Sequence, residues 1–244
     1  MGKIFATTSG KGGVGKSSVA VGLSLAFART GQSVLLVDMD EGLGCLDLLL
    51  GIAETAVLNL SDALESENIK DIAYACEEDN LFLIPAPTQV GQIDCEKFSS
   101  FVNEVSNLYD ILIFDFPAGL DFSLYTALPK KTLFITVSSP DPVCIRDAST
   151  VSENLANLGL KSRLIINHFN LKEHKKRNLS SIDDLIDTAS LQLLGIIPES
   201  EEISLLSIRH TIKKRGKTNK AFARIAGRLL NKNIPLVKLK KIRS

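Results

Sequence analysis

The chain has 244 residues, 45% of them hydrophobic and 23% charged, with no Trp, enough to fill the core of one large domain. This balance excludes a disordered, collagenous or disulfide-built protein, and the longest apolar stretches, such as Val34–Val37 and Ile111–Phe114, are far too short to span a bilayer. Formal net charge is zero, yet residues 209–244 carry 13 Lys/Arg and no Asp/Glu, leaving 15 Lys/Arg against 28 Asp/Glu in the rest. A basic end on an acidic body points to an anionic partner, lipid or nucleic acid, or to a solvated helix face paired with that body. The N-terminus has no charged region followed by an apolar one, so no signal peptide is expected. Cys45, Cys76, Cys95 and Cys144 lack metal-ligand spacing and read as reduced structural thiols.

In chain order, strands are expected at Lys3–Thr8, Ser33–Asp38, Leu81–Pro85, Ile111–Phe116, Thr132–Val137, Arg163–Asn167 and Leu193–Pro198. Several are continuous apolar runs, as strands buried on both faces are. Helical patterns fall between them, at 16–29, 59–65, 96–107, 143–158, 181–188 and 218–231. The alternation predicts an α/β fold: a mostly parallel, doubly wound sheet with helices on both faces. Ligands then sit at the carboxyl ends of the strands. The expected organisation is one domain, 1–234, followed by a short basic tail, 235–244.

The first strand runs into Ser9-Gly10-Lys11-Gly12-Gly13-Val14-Gly15-Lys16-Ser17-Ser18 and then a helix. Gly10 to Ser17 matches GxxxxGK[ST] in its strand–loop–helix context, the phosphate loop of a P-loop NTPase. Glycines turn backbone N–H groups inward around phosphate oxygens, so Gly12, Gly13, Val14, Gly15, Lys16, Ser17 and Ser18 form the expected nucleotide cradle. The helix beginning near Lys16 points its positive end at the same charge. Lys16 is placed to reach the β and γ phosphates of ATP, and the Ser17 hydroxyl to ligate Mg2+. The later strand Ile111–Phe116 carries an acid near its end, a Walker B pattern that sets Asp115 near the Mg2+ shell.

KGGVGKSS, with its second lysine Lys11, resembles the deviant Walker A loop of the MinD/ParA ATPases. In that family the early lysine crosses a dimer interface, so the resemblance implies a homodimer formed on ATP binding, with Lys11 and Lys16 both catalytic. Asp38-Met39-Asp40-Glu41-Gly42-Leu43 and Leu46-Asp47-Leu48 resemble the family's switch I. By that likeness Asp40 orients the attacking water and Asp38 supports the Mg2+ shell. Asp115-Phe116-Pro117-Ala118-Gly119 is similar to the family's DxPAG, with Phe116 in place of a small polar residue. Arg146-Asp147 resembles a pair that opens a helix in the family, read as structural or interface residues. Asn167 is implied at the adenine edge. Pro198 and Glu199, in a segment resembling LGxIPE, are implied along the base through their main chain.

The match spans residues 1 to about 234 and favours the MinD branch through Gly42-Leu43, Leu46-Asp47-Leu48 and Arg146-Asp147. The resemblance implies an ATPase that switches between monomer and dimer to place the division site. Such a protein would be cytoplasmic, moving to the inner face of the cell membrane when ATP-bound, with a partner of the MinC/MinE kind. Flagellar-placement ATPases and ParA-like DNA-partition ATPases are the alternatives. On the helix near 218–231, Phe222, Ile225, Ala226 and Leu229 are expected in the core, with Lys217, Lys220, Arg224 and Arg228 as an outward basic stripe. The tail, rich in Leu, Val, Ile and Lys, fits an anionic membrane surface better than DNA.

Overall fold

A computed structural model describes residues 1–66, 68–176 and 181–236. Eight strands form one sheet: β1 (Lys3–Thr8), β2 (Val34–Asp38), β3 (Tyr74–Ala75), β4 (Leu81–Ile84), β5 (Ile111–Asp115), β6 (Leu133–Ser138), β7 (Lys161–Phe169) and β8 (Leu193–Pro198). Their order is β3-β4-β2-β5-β1-β6-β7-β8, parallel except for the antiparallel β3 edge. All seven expected strands are present, within a few residues at their ends. The apolar runs follow from double-sided burial: every residue of β2 and of β5 is buried.

The helices are α1 (Lys16–Ala28), α2 (Leu46–Leu50), α3 (Leu60–Glu65), α4 (Cys95–Leu108), α5 (Pro142–Asn157), α6 (Leu171–Lys176), α7 (Ile182–Ala189), α8 (Glu201–Ser204), α9 (Leu206–Arg209) and α10 (Lys217–Leu229). Sequence periodicity anticipates six of them and misses the short α2, α6, α8 and α9. One face of the sheet is covered by α1, α2 and the α8–α10 region, the other chiefly by α3, α4 and, from the second half of α5, Val151 and Leu155. Local capping fixes where helices begin: Asp94 accepts from Glu96 and Lys97 at α4, and Asp141 accepts from Val143 and Cys144 at α5, with Pro142 in the first turn.

α1 is buried on almost every side because α10 lies against its outer face. A Cβ on Gly22 would stand 2.2 Å from the Phe222 ring, and one on Gly195 would stand 2.6 Å from Ile225. The absence of those side chains lets α10 settle onto both α1 and β8. Phe222, Ile225, Ala226 and Leu229 are all buried, as the 3.6-residue period demands.

The basic stripe needs one correction. Arg228 is not a free outward cation: its guanidinium donates to the carbonyls of Leu194, Ile234 (2.8 Å) and Pro235 (2.6 Å). A helical wheel places Arg228 beside Lys217 and Arg224, but it cannot see that β8 and the chain beyond α10 come within its reach. The expected tail, 235–244, lies outside the described residues from 237 onward.

Candidate nucleotide site

Parallel register brings the functional ends of three strands level. Thr7 of β1 and Asp38 of β2 both stand opposite Asp115 of β5. The loop leaving β1, the central strand of the sheet, passes over these carboxylates and enters α1. Its bends require glycine at two points: Gly13 has φ of 81° and Gly15 φ of 80°. A Cβ on Gly15 would also sit 2.3 Å from Asn167 Nδ2. Gly10 is tight for another reason, since a Cβ there would meet the Asp147 carbonyl oxygen at 2.7 Å. Asp147 therefore closes over the start of the loop, while Arg146 is exposed.

Lys16, Asp115 and Asp38 are the buried charges beneath the loop. Lys16 Nζ donates to Asp115 Oδ2 at 2.9 Å and to Ser17 Oγ at 3.3 Å. The Thr7 hydroxyl donates to the other Asp115 oxygen. Asp38 accepts from three backbone N–H groups, those of Asp40 (3.1 Å), Cys45 (3.0 Å) and Leu46 (3.1 Å). Burial, reinforced by the negative charge of Asp115, still pushes the Asp38 carboxyl up to about 6. Burial also raises Asp40, against the pull of Lys16. A carboxylate held above its ordinary range is a better proton acceptor and gains from a nearby cation.

These side chains suit a Mg2+-nucleotide. Two glycines of the loop, Gly12 and Gly13, have open space where a Cβ would point, so the backbone is free to receive a phosphate. Asn167 is fully buried and donates from Nδ2 to the Val14 carbonyl at 2.9 Å, while its Oδ1 has no hydrogen-bond partner among the described residues. A buried acceptor left open in this way fits a donor such as an exocyclic amine. Pro198 is buried at the end of β8, and the Glu199 N–H donates to the Phe169 carbonyl at 3.1 Å. Lys11 is exposed, with no ion pair among the described residues.

Several contributors escape a sequence reading. Glu41, beside Asp40, accepts from the backbone N–H groups of Gly91 (3.0 Å), Gln92 (2.8 Å) and Ile93 (2.9 Å), tying the segment after β2 to the loop before α4. The Gly119 N–H donates to the Ser9 carbonyl at 2.9 Å, tying the segment after β5 to the phosphate loop. Burial holds the Cys45 thiol above its usual range, against the lowering influence of Ser17. Phe116 turns away from the site: it is buried and meets Tyr125 edge-on at 4.5 Å, and the Tyr125 hydroxyl bonds to Thr8 at 2.7 Å. The bulky ring in place of a small polar residue is thus absorbed by an aromatic cluster beneath the sheet.

The nucleotide binding domain model of the CobQ/CobB/MinD/ParA kind matches residues 5–213. The chain belongs to this family. It is of the MinD-like type: it is 32% identical to the septum site-determining protein MinD of Thermotoga maritima over 97% of this chain and 91% of that protein. Among solved structures, MinD of the Aquifex aeolicus MinC:MinD cell division complex superposes with a TM-score of 0.86 at 28% identity, covering 97% of this chain and 99% of that one. MinD from Pyrococcus horikoshii, solved with Mg-ADP, superposes with a TM-score of 0.81 at 25% identity, covering 94% and 96%. The family assignment, the P-loop NTPase fold and the nucleotide-binding character expected from sequence all hold.

Proposed function

We propose that this MinD-like chain is an ATP-hydrolysing dimerisation switch that regulates division-site placement at the membrane surface. The observation that carries the reading is the pairing of two lysines in opposite states. Lys16 is buried on Asp115 beneath the loop, poised to exchange that carboxylate for phosphate. Lys11, five residues earlier, is exposed and free to reach a nucleotide held by a second copy. A lysine in that position neutralises charge developing on the transferred phosphoryl group from across an interface.

In this reading Gly12 to Ser18 hold the phosphates, with the start of α1 adding its dipole. Asn167 accepts from the adenine edge, and the main chain at Pro198 and Glu199 lies along the base. Mg2+, when bound, supplies Lewis-acid neutralisation of the phosphate charge. Ser17 is its ligand, and Asp38 and Asp115 hold its water shell. Asp40 orients the attacking water, its raised affinity for a proton suiting that task. Leu43 and Leu120, both exposed on the segments following β2 and β5, give a second copy apolar ground beside the nucleotide.

Membrane attachment is assigned to the basic tail, 235–244, acting in pairs, because two weak anchors joined in one dimer gain through effective concentration. No helix among the described residues is long and apolar enough to cross a membrane. A recruited partner of the MinC kind, as in the Aquifex aeolicus complex, is part of the same reading.

The test is light scattering on the Asp40→Ala form, which should retain ATP. Saturating Mg-ATP should convert monomer to dimer, and Mg-ADP should not. A monomer under saturating ATP overturns the switch.

A further inference from the structure

The basic charge of this chain is not confined to its tail. After Glu202 no acidic residue occurs, and the described segment after α9 presents Lys213, Arg215, Lys217, Lys220, Arg224 and Lys232, all exposed. None of these six has an ion pair among the described residues. The neighbouring cations are used internally: Arg228 holds three carbonyls, and Lys214 bonds to Glu78 at 2.9 Å. Along α10, Lys217, Lys220 and Arg224 follow i, i+3 and i+7 spacing and share one outward face.

Two networks fix where this face lies. α1 starts at the phosphate loop and runs 13 residues away from it, about 20 Å at helical rise. At its far end Arg29 donates to the Ile212 carbonyl at 2.8 Å and to Asn219 Oδ1 at 2.8 Å, and pairs with Glu78. Burial pushes the Glu78 carboxyl up, but hydrogen bonds from Lys214 and Arg29 outweigh it and hold that carboxyl below its usual range. The start of α10 is therefore pinned to the end of the molecule remote from nucleotide. Arg228 ties Ile234 and Pro235 to Leu194, near the amino end of β8, so the chain leaves for its tail from that same end.

We propose that the outward face of α10, with Lys217, Lys220 and Arg224 at its centre, is a second membrane-docking surface that lies against anionic lipid headgroups beside the tail. This rests on the membrane reading above and adds to it a contact made by the folded domain. Charge selects the partner: three unpaired cations on a helix that carries no carboxylate of its own suit a surface dense in phosphate. An apolar side chain at its margin selects lipid over nucleic acid. Leu236, next to the Pro235 that Arg228 holds, is 52% exposed, and a side chain of that kind buries among headgroups and acyl chains but finds no counterpart along a phosphate backbone. The folded face orients the domain, and the tail anchors it.

Cosedimentation with vesicles of phosphatidylglycerol and phosphatidylcholine, using full-length ATP-loaded protein, tests this. The variant K217Q/K220Q/R224Q should dimerise and hydrolyse ATP normally yet bind vesicles at least about ten-fold more weakly, three surface charges being lost. A control removing three cations elsewhere, K70Q/K130Q/K161Q, should bind as the parent does. If the triple variant binds like the parent while deletion of 237–244 abolishes binding, the folded face is overturned and the tail reading stands. If the parent ignores vesicles and instead retards a DNA duplex through these residues, the surface is a nucleic-acid face and the proposal fails. Absence of any vesicle or DNA binding by the parent overturns both the face and the tail.

Discussion

Lys16 and Asp115 form a buried ion pair, Nζ to Oδ2 at 2.9 Å, at the floor of the phosphate loop. Asp115 keeps a second donor in the Thr7 hydroxyl. Lys16 is thus held in place by the acid that closes β5, and in the proposed function a nucleotide phosphate must compete with that acid for it. Lys16→Ala should abolish nucleotide binding and also destabilise the unliganded fold by roughly 3 kcal/mol, because it strands a buried carboxylate. Removing both charges, in Lys16→Met with Asp115→Asn, should recover much of that loss. Urea denaturation of the two variants checks the pair, and a Lys16→Ala protein as stable as the parent would contradict it.

Lys11→Ala should leave nucleotide affinity nearly unchanged while ATP-dependent dimerisation and turnover are lost. The residue is exposed, and its ammonium group has no ion pair among the described residues. Fluorescent-nucleotide titration alongside light scattering separates the two effects. A parallel fall in affinity for Lys11→Ala and Lys16→Ala would deny the division of roles.

The Asp38 carboxyl carries a pH signature. Burial lifts it to about 6, well above its value in an unfolded chain, so between about pH 4 and 6 the folded state holds a proton that the unfolded state has released. Its contribution to stability accordingly falls as pH rises through that window and levels off above it, by on the order of 3 kcal/mol. This is the reverse of a salt-bridged carboxylate. Asp38→Asn removes the titration, although its amide also disturbs the three N–H donors. The informative quantity is therefore the pH dependence of the stability difference between parent and variant. A difference that is flat from pH 4 to 7 would show that Asp38 titrates normally.

Glu41→Ala removes the acceptor of three consecutive backbone N–H groups at 91–93. Hydrogen exchange at Gly91, Gln92 and Ile93 should accelerate by about ten-fold or more, with global stability reduced by only about 1 kcal/mol because water can replace the carboxylate. Unchanged protection at those amides would mean that the loop before α4 is held by something else.

The fold was legible where physics leaves a period or a run. β2 and β5, buried on both faces, are unbroken apolar stretches, and the phosphate loop is read from glycines whose positive φ no other residue adopts easily. What escaped has no local signature. β3 is two residues long and is defined by its partner β4. α2 hides inside a motif read for its chemistry, and α8 and α9 are four residues each. Glu41 acts on backbone N–H groups 50 residues downstream, which no spacing rule anticipates. Arg228 was misread because a helical wheel records its own helix and not the carbonyls that approach it.

The union of α1 and α10 sets the order in which this molecule can come into being. The phosphate loop and α1 are synthesised well before α10, which carries the ring of Phe222 that seats on Gly22 and the Asn219 side-chain oxygen that accepts from Arg29. A chain interrupted before residue 217 presents the apolar outer side of α1 to water, a mark that chaperones and proteases read. Burial of α1 is therefore complete only once α10 has been made and docked.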